Sequence, residues 1–122
     1  MDMTNKTNAG ISVLVLTPEG EVADADLPPG DVLWALNSVL GSRYVDVVRL
    51  TDRIDMWLDD EGLCVDGAQV NVPAGVVAAA YGFVYQPYAG RVLFAEHDDE
   101  GNTVSLSPEA RSVILDLLLG AS

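Results

Sequence analysis

The chain alternates between strand-like hydrophobic runs and helix-like apolar stripes. Residues 11–17 form a nearly continuous run of β-branched and aliphatic residues, which is typical of a strand covered on both faces. Within residues 21–27, alanines alternate with aspartates, which predicts a polar strand at the edge of a sheet. Residues 44–50 and 54–58 are two further strand patterns, and the connection between them has hairpin length. The first half of the chain is therefore expected to form paired strands.

Three segments carry the signature of helices. Asp31 precedes an apolar stripe that ends at Gly41, and Asn71 precedes the uncharged segment 72–81. Both are N-cap patterns, because the side chain can accept a hydrogen bond from one of the first free N–H groups of a helix. Residues 107–109 are Ser-Pro-Glu, which supplies a cap, a proline and an acid before a leucine-rich stripe. The segment 72–81 carries no charge, which predicts a helix buried on all sides.

The remaining patterns complete the order of elements. Residues 91–96 and 103–106 are predicted as strands, and residues 63–65 as a short one. The order β-β-α-β-β-(β)-α-β-β-α predicts an α+β fold, with a mostly antiparallel sheet and two to three helices packed on one face. We expect residues 1–10 to be a disordered tail and residues 11–120 to form a single globular domain.

Composition adds one strong feature, a formal net charge of −13 from 19 acidic and six basic residues. Such a surface repels phosphates and anionic lipids, so neither direct nucleic-acid binding nor membrane binding is expected. The sequence leaves open whether the charge serves solubility, adaptation to high salt, or imitation of a nucleic acid. No apolar run approaches the ~20 residues of a membrane helix and no signal peptide is recognisable, so a cytoplasmic location is expected.

No catalytic, cofactor-binding or metal-binding pattern is recognisable. The glycines do not follow the spacing of a phosphate-binding loop, and the acidic run 59–61 lacks the alternating ligands of a calcium loop. His97 is the only histidine, and its place in the acidic segment 96–100 predicts an exposed turn residue. Cys64 is the only cysteine and is expected to be a structural thiol. A small enzyme is therefore the least favoured hypothesis.

Aromatic residues and leucines supply the candidates for a binding surface, since large aromatic side chains often anchor protein interfaces. Trp57 shares one strand face with Asp55, opposite the more apolar face. The leucines of the last helix form a stripe wider than a single core contact needs. The interface candidates are Trp57, Asp55, Tyr85, Tyr88, Leu115 and Leu119. They predict a protein partner or a homodimer.

A nucleic-acid mimic that inhibits a DNA-binding enzyme is the alternative. Such a protein needs carboxylates at phosphate-like spacing on one face. The acidic-surface candidates are Asp24, Asp26, Asp31, Asp59, Asp60 and Glu61. This hypothesis requires that these side chains converge in space.

A resemblance to a known family rests on three consecutive features. They are the strand Tyr44-Val-Asp-Val-Val-Arg-Leu50, the segment Ile54-Asp-Met-Trp-Leu-Asp-Asp-Glu-Gly62, and Asn71 before an alanine-rich helix. Over about residues 11–94 the chain resembles a small domain family that is common on bacterial phages and plasmids and is known only as a domain of unknown function. The resemblance implies an accessory protein of a mobile element and supplies no catalytic residues. The hypothesis is therefore a non-enzymatic acidic interaction protein.

Overall fold

The computed structural model describes residues 7–8, 10–62, 67–84 and 86–120, and these form eight strands and three helices. The strands are β1 Thr7–Asn8, β2 Ser12–Leu16, β3 Val22–Asp26, β4 Gly30–Asp31, β5 Val45–Arg49, β6 Ile54–Asp59, β7 Val92–His97 and β8 Thr103–Val104. The helices are α1 Val32–Leu40, α2 Val72–Ala80 and α3 Pro108–Gly120. The predicted α+β class and order of elements are confirmed. Residues 1–6 and 9 of the predicted tail, the predicted strand 63–65 and Cys64 lie outside the described residues.

Six of these strands form one antiparallel sheet in the order β3-β2-β7-β6-β5, with β8 paired to the end of β7. The hairpins β2–β3 and β5–β6 are local, whereas β7 is inserted between them and pairs with β2 and β6. Strand β3 lies at an edge and is mostly exposed, as its acidic alternation predicts. Strands β1 and β4 make a separate two-residue pairing.

Helices α2 and α3 cover one face of the sheet. Their buried residues pack against one set of alternating strand positions, which includes Met56 and Phe94. Helix α2 contributes Ala74, Val77 and Ala78, and α3 contributes Ala110 and Ile114.

The predicted two to three helices on one face are thus α2 and α3, and helix α1 covers the opposite face. Ala35, Leu36 and Leu40 of α1 pack against the other alternating positions, among them Val13 and Leu93. The physical reason is that β2 and β7, two of the three inner strands, are apolar at consecutive positions. A strand with apolar residues on both faces needs cover on both, so the domain has three layers.

Periodicity misplaced one residue in each of two helices. The apolar stripes that predict α1 and α3 include Leu33 and Val113, yet these side chains are 56% and 48% exposed. Each helix packs one face against the sheet. A narrower stripe is therefore buried than the sequence pattern indicates.

Two N-caps and one glycine C-cap begin and end helices as predicted. The Asp31 Oδ1 atom accepts a hydrogen bond from the Trp34 N–H at 3.2 Å. Gly41 ends α1 with a φ of 68°, a left-handed conformation that glycine adopts without strain. The Asn71 Oδ1 atom accepts from the Ala74 N–H at 2.9 Å and starts α2.

Candidate functional site

An apolar groove of about 580 Å³ runs along the outer side of α2. Its apolar lining comes from α2 and from the segments just before and after it. The lining includes Val70, Val72, Val76, Phe83, Val84 and Pro87. Val70, Val72 and Val84 are 49%, 65% and 48% exposed, so three large apolar side chains converge on one open surface. We call this surface the apolar groove.

The groove exists because α2 is uncharged on every side but buried on only one. The prediction that this helix is surrounded by the core is wrong, since only Ala74, Val77 and Ala78 are buried. The outward face presents the small residues Gly75 and Ala79, which leave the groove floor unfilled. An outward helix face without charges is typical of a surface that a partner covers.

An acidic pocket of about 310 Å³ adjoins the apolar groove, and Gln86, Pro87 and Tyr88 line both. The acidic pocket also contains the carboxylates of Asp46, Asp59 and Asp60, and no lysine or arginine is among its described lining residues. These residues come from the ends of β5 and β6, where the sheet edge and the following turn place acids side by side. The combined surface is apolar at one end and negative at the other.

A buried Asp–His pair lies on the other side of the sheet, on the α1 face. The His97 Nδ1 atom is 3.0 Å from both carboxylate oxygens of Asp55. The side chains are only 12% and 2% exposed. The prediction that His97 is an exposed turn residue is therefore wrong. His97 is the last residue of β7, and its alternation turns the imidazole inward.

Strand pairing brings a third side chain, Arg49, to this cluster. Arg49 of β5 lies directly opposite Asp55 of β6, and the Arg49 Nη1 atom is 3.5 Å from the His97 Nε2 atom. Guanidinium can only donate, so this geometry suits an imidazole that carries its proton on Nδ1 and accepts at Nε2. Asp55 is then the acceptor for the Nδ1–H group. The alternation of Asp55 with Met56 was the signal in the sequence, but His97 is 42 residues away and only the pairing of β6 with β7 joins them.

A cavity of about 320 Å³, which we call the α1 cavity, lies beside this cluster. Arg49, Asp55 and Trp57 border it from the sheet, Thr103 from β8, and Val32 and Leu33 from α1. The Trp57 Nε1 atom is buried and has no hydrogen-bond acceptor among the described residues. The described residues contain no group of three or more His, Cys, Asp or Glu side chains placed to hold a metal ion.

The predicted interface residues lie in different parts of the domain and do not form one surface. Asp55 and Trp57 lie under α1, and Trp57 packs against the core there. Tyr88 is 4% exposed, and burial raises the pKa of its hydroxyl above the usual value. Leu115 is half-buried against the core of the α2–α3 face, whereas Leu119 is 73% exposed. Tyr85 lies outside the described residues. Sequence reasoning missed the valines of the apolar groove, because single valines are weak signals of an interface.

The predicted acidic residues do not form one row. Asp24 and Asp26 lie on the β3 edge, Asp31 caps α1, and residues 59–61 lie at the end of β6, next to the opposite edge. The Arg111 guanidinium donates to both oxygens of Asp24 at 2.8 Å, and this hydrogen bonding lowers the pKa of Asp24. Glu61 pairs with Arg43 at 3.1 Å. The separation and the partial neutralisation both weaken the case for a nucleic-acid mimic.

A family model described as "Domain of unknown function (DUF3846)" matches residues 11–118. The chain belongs to this family. The DUF3846 domain runs from the start of β2 almost to the end of α3, so it includes the last helix, which lies beyond the range 11–94.

Other comparisons add no relative to this DUF3846 chain. Neither the curated proteins nor the solved structures include a match. Within the described part of the chain, α3 is the longest helix, and no helix combines the length and the apolar character that crossing a bilayer requires.

Proposed function

We propose that this DUF3846 chain is a non-enzymatic binding protein that holds a segment of a partner protein along the apolar groove and the acidic pocket. The observation that carries this proposal is the continuity of the two surfaces over residues 86–88. A single extended or helical segment can therefore contact both at once. Recognition of a short segment by apolar anchors and flanking charges is a common mode of protein binding.

The chemistry of the surface defines the partner segment. Apolar side chains would fill the groove lined by Val70, Val72 and Val84, and lysines or arginines would meet Asp46 and Asp60. Charge complementarity of this kind guides encounter and fixes the direction of the bound segment. A second copy of this chain is a poorer occupant, because two bodies of formal charge −13 repel each other.

The wider role follows from the family resemblance. We propose an accessory protein of a mobile element that acts in the cytoplasm, with a basic protein of the host or of the element as its partner. The high negative charge supports this proposal because it steers a basic partner toward the domain over distances comparable with the Debye length, about 8 Å at physiological ionic strength.

A peptide-display selection on the intact chain tests the proposal. We expect the selected peptides to contain apolar residues next to lysine or arginine, and to bind less tightly at high salt. Val72→Lys should lower the affinity of these peptides at least tenfold, which corresponds to about 1.4 kcal/mol. The reason is that the lysine places a long charged side chain in the groove. Asp60→Asn should reduce both the affinity and its salt dependence.

Leu33→Lys is the matched control, since Leu33 is an exposed leucine on the opposite side of the sheet. It should bind the selected peptides as the wild-type chain does. Peptides without basic residues, or equal binding by Val72→Lys and wild type, would show that this surface is not the binding site. A selection that returns only segments of this chain itself would favour the homodimer instead.

A further inference from the structure

We infer that the α1 cavity is a second binding site, for a small carboxylic acid with a short apolar body. The α1 cavity lies on the opposite face of the sheet from the apolar groove, so this inference does not depend on the proposed function. Two separate observations support it: an arginine at the cavity wall and a buried N–H group, neither of which has a carboxylate partner or an acceptor oxygen among the described residues.

Arg49 is the anchor for the carboxylate. Its Nη1 atom points to His97 Nε2 at 3.5 Å, and Asp55 holds the imidazole from the other side. A guanidinium has five N–H donors in a rigid fork, and this contact uses one of them. Within the described residues, no carboxylate forms an ion pair with Arg49. A carboxylate that binds in the cavity can accept two parallel N–H hydrogen bonds from this guanidinium.

Trp57 supplies the second donor. Its indole ring borders the cavity, and its buried Nε1–H group has no acceptor among the described residues. A buried donor without a partner is unfavourable, so a ligand oxygen that reaches it strengthens binding. Strand pairing places Arg49 opposite Asp55 and Val47 opposite Trp57. Arg49 and Trp57 are therefore diagonal neighbours, and roughly 7–8 Å separates such positions, a span that their side chains and one carboxylate can bridge.

The remaining wall sets the size and polarity of the ligand. The volume of about 320 Å³ suits a small molecule. Ile11, Val32 and Leu33 give the cavity an apolar side for a short hydrocarbon body. Two carboxylates border the cavity, but both already have donors: Asp55 pairs with His97, and Asp31 accepts from the first turn of α1. Neither carboxylate forms an ion pair with Arg49.

The experiment follows the indole N–H resonance of Trp57 by two-dimensional NMR of the intact chain. Trp34→Phe assigns this signal, because the chain has two tryptophans. The probes are butyrate, 3-methylbutanoate and phenylacetate, each titrated beside its primary amide. We expect a saturable shift of the Trp57 signal with at least one carboxylate, and no saturable shift with its amide. Titration extends to about ten times a millimolar Kd, so that weak binding is detected.

Three variants separate the parts of the site. Arg49→Gln should weaken the active probe at least tenfold, while Arg43→Gln, an exposed arginine outside the cavity lining, should leave its affinity unchanged. Trp57→Phe keeps a large ring without the N–H group and should weaken binding several-fold. Because this variant lacks the indole N–H signal, ligand binding to it is followed through the backbone amide signal of Thr103. Preserved dispersion of the amide spectrum shows that each variant is folded.

The inference is overturned if none of the three carboxylates causes a saturable shift, or if acid and amide bind equally. Equal affinity of Arg49→Gln and wild type also overturns it, because the arginine is the proposed anchor. If Arg43→Gln weakens binding as much as Arg49→Gln, the effect is one of overall charge and the site is not the α1 cavity.

Discussion

Asn71→Ala is expected to destabilise the domain far more than Asp31→Ala, although both residues are helix N-caps. Asn71 is 1% exposed, and its Oδ1 atom accepts from the N–H group of Ala74. Its Nδ2 group also donates to the carbonyl of Leu16 at 3.1 Å and to that of Gly90 at 2.8 Å. Asn71 therefore joins α2 to β2 and to the segment before β7. The Asp31 side chain is exposed and caps α1 only.

The magnitudes follow from these contacts. Loss of an N-cap costs about 0.5–2 kcal/mol, which is the whole expected effect for Asp31→Ala. Asn71→Ala loses the same cap and in addition leaves two carbonyls without their donor. Each buried polar group that loses its partner costs about 1–3 kcal/mol. Since the Gly90 bond is only partly buried, we expect a total of about 3–5 kcal/mol for Asn71→Ala, against about 1 kcal/mol for Asp31→Ala.

Urea unfolding followed by far-ultraviolet circular dichroism measures both losses. With a slope of about 2 kcal/mol per molar urea, Asn71→Ala should lower the midpoint by about 1.5–2.5 M and Asp31→Ala by about 0.5 M. Asn71→Ser separates the contributions, because serine keeps the cap but lacks the donor group. The decrease in the free energy of unfolding for Asn71→Ser should therefore be more than half of the decrease for Asn71→Ala.

Equal midpoints for Asn71→Ala and Asp31→Ala would refute this reasoning, since they would mean that the two tertiary hydrogen bonds contribute nothing. A serine variant as stable as the wild-type chain would refute it in the same way. An unchanged slope in all variants is needed for the comparison, because a change would indicate an altered unfolded state.

Three further outcomes are expected. In a double-mutant cycle by urea unfolding, His97→Ala and Asp55→Ala should show a coupling of about 1.5–3 kcal/mol, as for a shielded hydrogen bond to a charged group, whereas an exposed turn histidine would show none. The backbone N–H of Asn102 donates to Asp98 and lowers the pKa of this carboxyl group below its ordinary value of 3.8. The ionised Asp98 therefore stabilises the β7–β8 turn above pH 3.8, and this stabilisation is lost as the pH falls through the lowered pKa. Thermal melts of Asp98→Asn and wild type should therefore differ at neutral pH and converge in acid; a constant difference would argue against this. Gly62→Ala should cost about 1–3 kcal/mol in the same urea assay, because its Cβ would lie 3.0 Å from a backbone carbonyl; a loss below 0.5 kcal/mol would contradict that close approach.

Gly62 shows that a glycine in a turn is not always required by its backbone angles. A glycine that follows an acidic turn is expected to supply positive φ, yet Gly62 is not among the glycines with positive φ. A Cβ at this position would lie 3.0 Å from the carbonyl oxygen of Ala89, so a side chain would require the neighbouring backbone to shift. Sequence predicts local backbone preferences, whereas a close approach between distant segments is decided only by packing.

The features of the candidate sites also differ in whether local sequence or the packing of distant segments decides them. The caps at Asp31 and Asn71 and the edge character of β3 were predictable, because each depends on residues within one turn or one strand. The pairing of His97 with Asp55 was not, because it depends on β7 entering between two local hairpins. The apolar groove was not predictable either, because an uncharged helix looks the same whether one face or all faces are buried.

The sequence by itself therefore determined the three helices, the main strands and their order, through periodicity, capping and turn chemistry acting over a few residues, but not the short pairing of β1 with β4. The tertiary structure alone decided that α1 covers the second face of the sheet. It also decided that the acids lie near opposite edges and that Asp55, His97 and Arg49 meet. The physical reason is that these outcomes are set by the register between strands that are far apart in the chain. The consecutive apolar residues of β2 and β7 require cover on both faces, but they do not specify which helix provides it.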